Sequence, residues 1–411
     1  ATAPKRGAKM MAGLLETVRS AFLGLLGLII AWTTLAPTVE VFRKNQLANV
    51  KSGVSTILYI QSWRRPVLDR VLSAITFCGE EDFYLVATPF LFWNIDHKLG
   101  TQFNMVVCAG IFGGNFVKDM FKVPRPPSPP VWVAPNLLHS DSTGLRDFGF
   151  PSTHSLNAFS NPTYLLMWAV ATGRLTTEAP LALGAWVLVG AAYCAILAGS
   201  RLYLGVHSPG DVRAGLFMGL LLVSIQGSIG EWLYGWMLEG EHVAAVSIAF
   251  TVFMVLMCPQ VRPRTPTFIM NCSLLGLMLG CVLGTRWYHD RLLVPQVTAA
   301  LAPVAVSAEA YQAHLAGLPA GVLRFVIGVA ITLGTRAVLK MLLNPVLSKA
   351  FGVRLFAPPA ASTGGTVEDS ALVVALEAVS KTTVYTGLAA AVTYGAPMVH
   401  EALGIASVAS I

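Results

Sequence analysis

Residues 180–211 read PLALGAWVLVGAAYCAILAG and then, without a break, SRLYLGVHSPGD. The first part has no charged side chain and is about as long as the roughly 20 residues a helix needs to cross a bilayer. The second part gathers Arg201, His207, Ser208, Pro209 and Asp211. From Asp211 the chain returns to an apolar run that lasts to about 232. Two spans joined by a short polar turn define an all-α polytopic membrane protein, because only helices and closed barrels satisfy their backbone groups in lipid.

Working outward from that turn, apolar stretches of spanning length fall at 20–37, 80–97, 101–118, 153–172, 180–199, 211–232, 242–258, 267–285, 320–341 and 371–395. The expectation is about ten transmembrane helices. It divides the chain into a basic N-terminal segment (1–19), a six-helix core (20–232) and additional C-terminal helices (233–411). The first span follows Lys5, Arg6, Lys9 and Arg19 and reads as a retained helix, since Pro37 directly after Ala36 makes a poor signal-cleavage site. Residues 38–79 interleave Arg43, Lys44, Lys51, Arg64, Arg65 and Arg70 with short apolar stretches, an interfacial amphipathic pattern. Pro124–Pro130 force an extended loop.

Composition agrees. Of 411 residues, 55% are hydrophobic and only 12% charged, about half the charged share of a soluble globule. The net charge of +7 is spread singly between apolar runs rather than along one stripe, which disfavours nucleic acid as a partner and suits anchoring at anionic headgroups. The six cysteines show no CxxC spacing, so neither a disulfide framework nor a zinc site is expected.

Three polar clusters interrupt the apolar pattern. Lys118 and Arg125 flank the end of one span; taken alone they are a snorkelling pair at a helix end. Pro151-Ser152-Thr153-His154 opens the next span, where unpaired amides favour an anion and Ser152 adds a hydroxyl donor. In Ser200–Asp211, Ser208 reads as an N-cap, Pro209 as the first helical position and Asp211 as the third, a capping box with His207 just ahead of it. Asp211, one turn in, is placed to accept the imidazole Nδ1–H and leave Nε2 free. If the chain crosses the membrane at each span, all three clusters fall on one face. Asp119, Asp141, Asp147 and His139 share that face without metal-ligand spacing, so no metal and no cofactor is expected.

In order and spacing, Lys118–Pro126, Pro151–His154 and Ser200–Asp211 resemble the three-part signature of the type 2 phosphatidic acid phosphatase superfamily, over residues from about 20 to 232. Thr153, where that superfamily commonly has glycine, is similar to its sphingosine-1-phosphate and long-chain-base phosphate phosphatase branch. Lys118-Asp119, Pro124–Pro130, Tyr203–Pro209 and Phe92–Asp96 look like that branch as well. The resemblance implies a lipid phosphatase in which His207 is the nucleophile, Asp211 its partner and His154 the acid and base. Lys118, Arg125, Ser152, Thr153 and Arg201 would hold the phosphate. It also implies a sphingoid-base phosphate as the membrane-embedded substrate and a luminal site in the endoplasmic reticulum. The basic residues before 20 agree with a luminal site; those at 38–79 and beyond 260 place more positive charge on the active-site face and point the other way.

Glu80, Glu81 and Asp82 open the second span on the same face. Glu80 and Glu81 could attract the ammonium of a phosphorylated sphingoid base, or merely satisfy a helix N-terminus. Gly276, Gly280 and Gly284 form a small-residue ridge for close helix contact, inside the fold or across a homodimer seam. Two rival readings stand: a phosphatase for phosphatidic acid or isoprenoid phosphates, and a lipid-phosphate transporter or scaffold that does not hydrolyse.

Overall fold

The computed structural model describes residues 38–138, 147–176, 178–261, 265–293, 318–356 and 370–405, and among these it contains helices and no strand. The basic segment 1–19 and the expected first span 20–37 lie outside the described residues. Helix α1 covers 38–61, followed by α2 (Pro66–Thr76), α3 (Glu81–Asn94), α4 (His97–Phe121), the short α5 (Pro135–Leu138), α6 (Thr153–Ala171), α7 (Pro180–Tyr203) and α8 (Pro209–Glu239). The C-terminal part adds α9 (Val243–Met257), α10 (Pro266–Tyr288), α11 (Leu318–Phe351), α12 (Ala371–Ala390) and α13 (Ala396–Ala402).

Five helical stretches among the described residues are long and apolar enough to span a membrane: Pro180–Tyr203, Pro209–Glu239, Pro266–Arg291, Pro319–Phe351 and Ala371–Ala402. This is an integral membrane protein, but the expected count of ten spans is not reached on that criterion. The reason lies in packing. Helix α4 packs against α3, α6, α8 and α10 and buries Thr101, Gln102, Asn115, Lys118 and Asp119. A helix that meets protein on all sides can carry polar residues that a lipid-facing one cannot. By contrast α7 and α8 leave Leu181, Trp186, Leu188, Phe217 and Trp232 exposed, an apolar surface that only a bilayer would cover.

In the core, α6 packs on α8, α7 and α4. Buried hydrogen bonds tie α6, α4 and α8 together: Tyr164 Oη donates to Gln102 Oε1 (2.7 Å), and Gln102 Nε2 donates to the Gly230 carbonyl (3.1 Å). Helix α1 turns Val50, Gly53 and Ile57 inward, a three-to-four spacing that puts one stripe on the core. Helix α10 lies chiefly along α12, with α4 and α9 also against it. Gly276, Gly280 and Gly284 face Thr382, Thr386 and Thr393 so closely that a Cβ at any of them would collide. The ridge thus serves a contact inside the fold. Two buried hydrogen bonds tie this layer to the core: Thr265 and Thr267 donate to Asp119 at 3.1 and 2.6 Å.

Candidate functional site

Helix α8 begins as its sequence dictates. Ser208 accepts from the Asp211 amide (3.2 Å) and Asp211 Oδ2 accepts from the Ser208 amide (2.7 Å), with Pro209 at the first turn. This reciprocal cap, together with the positive end of a long helix, fixes the turn that carries His207. Only 1% of the His207 side chain is exposed. Its Nδ1 lies 3.7 Å from Asp211 Oδ2 and has no hydrogen-bond partner. The expected Nδ1–Asp211 hydrogen bond is therefore present only as a close approach, to the oxygen that also accepts from the cap amide.

The cations converge on this ring. Burial first, then Arg125, Arg201 and Lys118, push the His207 pKa well below the ordinary histidine value. Both effects favour the neutral imidazole. Lys118 arrives from the last turn of α4, which ends in a left-handed Lys122 just before Pro124. Arg125 follows in the extended loop, and its Nη1 donates to the Val206 carbonyl (2.9 Å) beside His207. Arg201, in the last turn of α7, donates through Nη1 to Thr76 Oγ1 (2.6 Å), while its buried Nε has no partner.

Ser152 is fully buried and caps α6, accepting from the Ser155 amide and hydroxyl at 3.3 and 2.9 Å. Its own amide donates to the Asp211 carbonyl (3.1 Å), joining the second cluster to the third. Thr153 packs its methyl into the space that Gly114 leaves open. The His154 ring rests on Gly79, where a Cβ would collide with it, and its Nε2 lies 3.3 Å from Glu80 Oε1. So Glu80 is engaged with the histidine. Glu81 is the first residue of α3 and lines an adjoining cavity.

Three contacts were not legible in advance. Asp147 Oδ2 sits 2.7 Å from Lys118 Nζ and 3.4 Å from Arg125 Nη2. Burial works to raise that carboxyl, but Lys118 and Arg125 outweigh it and hold its pKa below the usual value. Thr76 as the anchor of Arg201 and Gly79 as the seat of His154 also escape sequence reading, since each partner comes from a distant segment. Asp147 is just ahead of the Pro151–His154 cluster, but no spacing signals a pairing across 29 residues. Among the described residues no three His, Cys, Asp or Glu side chains are grouped to hold a metal ion.

Three cations, two histidines and a capped helix start are thus gathered at one end of the helix bundle of an integral membrane protein. A family model described as the PAP2 superfamily matches residues 99–227, the stretch that holds all three clusters. The relatives the chain resembles include proteins named as lipid phosphate and sphingosine-1-phosphate phosphatases. It is 26% identical to lipid phosphate phosphatase delta of Arabidopsis thaliana, over 59% of this chain and 58% of the relative. It is 27% identical to a probable sphingosine-1-phosphate phosphatase of Dictyostelium discoideum, over 59% of each. Against sphingosine-1-phosphate phosphatase 2 of Homo sapiens the identity is 25%, over 80% of this chain and 76% of the relative. The chain thus spans under two thirds of the length of the first two relatives. No solved structure matches it.

Proposed function

We propose that the protein hydrolyses a lipid phosphomonoester without a metal, and that its substrate is a sphingoid-base phosphate such as sphingosine-1-phosphate or its dihydro or phyto forms. The observation that carries this reading is the buried His207 beside Asp211 at the capped start of α8. Arg125 is bonded to the adjoining Val206 carbonyl, and burial, Arg125, Arg201 and Lys118 lower the His207 pKa. A neutral imidazole has a lone pair to donate, and the surrounding cations would stabilise the charge that builds on phosphoryl oxygens.

In the first step His207 Nε2 forms a bond to phosphorus and the bond to the lipid oxygen breaks. His154 gives its proton to that oxygen. Asp211 Oδ2, 3.7 Å from Nδ1, stabilises the ring as it becomes positive. Lys118, Arg125, Arg201, Ser152 and the Thr153 amide hold the phosphoryl oxygens. In the second step His154 takes a proton from water, the water oxygen attacks phosphorus, and the phosphohistidine bond breaks to release inorganic phosphate and neutral His207. The fixed side-chain cations supply the charge that a metal ion would otherwise provide.

Glu80 supports the amino-lipid reading. A sphingoid phosphate carries its ammonium one carbon away from the carbon that bears the leaving oxygen. The carboxylate touching His154 is therefore within reach of that ammonium, with Glu81 next to it. Glu80→Gln should raise KM for a sphingoid phosphate several-fold more than for phosphatidic acid; equal effects on both would leave Glu80 a partner of His154 alone. The names of the relatives support the same substrate class. A luminal site in the endoplasmic reticulum is the location we favour, on the family resemblance and the basic residues before the first apolar run.

The test is phosphate release by purified protein in EDTA, comparing dihydrosphingosine-1-phosphate with phosphatidic acid and including His207→Ala. Sphingoid turnover that disappears in the variant is expected. Turnover chiefly of phosphatidic acid would keep the chemistry and change the substrate. Binding without release would leave a transporter or scaffold.

A further inference from the structure

Helices α3, α4, α10 and α12 line an elongated, partly open cavity of about 290 Å³. One end abuts the site. Pro266, on its wall, lies between Thr265 and Thr267, which bind Asp119, the neighbour of Lys118. Glu81 and Asp82 line the same end, and the preceding Glu80 touches His154. The other end reaches Phe92, Cys281 and Val392. The cavity therefore starts one residue from Glu80, the partner of His154, and its wall follows α3 and α10 away from that end.

Its character changes along the way. Carboxylates stand at the mouth, and Leu85, Val107, Ile111, Leu274, Leu277 and Leu388 form much of the wall below. Lys381 also contributes, but its ammonium is taken up by the Phe356 and Tyr385 rings, 5.3 and 5.8 Å away. From Pro266 to Leu277 the wall follows α10 for about 16 Å at roughly 1.5 Å per residue. That is close to the reach of one lipid chain, half of a hydrocarbon core about 30 Å thick. The volume is at the low end of small-molecule pockets, which run from about 300 to 1,000 Å³, and suits one chain better than two.

We propose that this cavity binds the alkyl chain of a single-chain amino-lipid phosphate while the phosphate lies at His207. The proposal rests on the function inferred above and deepens it: selection of one chain over two would come from the cavity, not from the phosphate site. It also gives the C-terminal layer a task. Helices α10 and α12 supply half of the lining helices, yet both lie beyond residues 99–227 that define the family core. The acidic mouth suits the ammonium of a sphingoid base, whereas the diacylglycerol part of a phosphatidic acid carries no positive charge there.

The experiment uses the full chain in lipid nanodiscs with two variants, Leu277→Trp to narrow the lower half and Leu277→Ala to widen it. Long-chain sphingoid phosphate is compared with an octyl-length analogue that stops short of Leu277. Leu277→Trp should lower kcat/KM for the long chain by about tenfold, as expected for leaving a methylene or two unburied, and spare the short one. Leu277→Ala should spare both. Equal loss of both substrates in Leu277→Trp, with that variant folded, would overturn the proposal. A second readout needs no turnover. A long-chain amino phosphonate with a diazirine near its chain end should label α10 or α12 around Leu277 and Leu388. Labelling confined to the lipid-facing α7 and α8 would mean that the chain stays in the bilayer, and the proposal would fall. If wild type hydrolyses neither phosphate, the functional reading fails, and the labelling pattern still decides the cavity.

Discussion

Asp147 places a carboxylate where the phosphate reading needs an anion. It takes Lys118 at 2.7 Å and Arg125 at 3.4 Å, the two cations that a phosphoryl group would use, so an incoming phosphate and this carboxylate compete. Two unit charges about 4 Å apart interact by roughly 4 kcal/mol near a protein surface, and a modest part of that is enough to be measured. Asp147→Asn should lower the Ki for inorganic phosphate or vanadate about tenfold, whereas weaker inhibition would show that Asp147 holds the cations in place rather than occupying them. The histidine gives a pH prediction with a definite sign. Burial and the neighbouring cations disfavour imidazolium at His207 and move its pKa down, so the nucleophilic neutral form persists to lower pH. The acid limb of kcat/KM assigned to His207 should fall well below pH 6.5, histidine's ordinary value of about 6.5 being the reference, and a limb centred there would contradict the geometry. The Ser208–Asp211 cap was readable because capping chemistry is local, fixed by four consecutive residues that include a proline. Asp147 was not, because its partners come from another helix and the loop after it.

The same contrast of local and distant information holds for elements. The turn from α7 to α8 and the end of α4 before Pro124 follow from proline, capping residues and hydropathy, and the structure has them where the sequence puts them. The small-residue ridge of α10 was equally visible, but nothing in the glycine spacing names the helix that fills it. The structure supplies α12, whose Thr382 and Thr386 approach Gly276 and Gly280, with Thr393 just past its end against Gly284. Helices in lipid gain no hydrophobic free energy from meeting each other, so contact of this kind rests on close packing. Gly280→Leu should force the two helices apart and destabilise the protein by about 1–3 kcal/mol, the usual cost of overpacking, read as a lower Tm in detergent. Gly113, where an added Cβ meets nothing within 4 Å, is the control: Gly113→Ala should leave Tm unchanged or raise it. An equal response of the two positions would mean that the ridge is not a packing seam.

Across the whole molecule, the family core and the C-terminal layer meet close to the chemistry. Asp119 is 1% exposed, follows Lys118 on α4, and accepts from Thr265 and Thr267 at the start of α10. A buried carboxylate deprived of its donors, or donors deprived of the carboxylate, costs about 1–3 kcal/mol, so this contact can fix the entry angle of α10 and, through the chain, the setting of Lys118. Asp119→Ala should lower Tm by an amount within that range and raise KM for phosphate-bearing lipid, because the Lys118 turn loses its brace. Asp119→Asn, which keeps an acceptor for one threonine, should recover part of both effects. Thr265→Val with Thr267→Val removes the same bonds from the other side without touching α4. If the contact couples the layers, the double variant should reproduce the KM change of Asp119→Ala. A fall in Tm with unchanged KM in all three variants would mean that α10 stabilises the core without setting the site, and the C-terminal helices would then act only through the cavity they line.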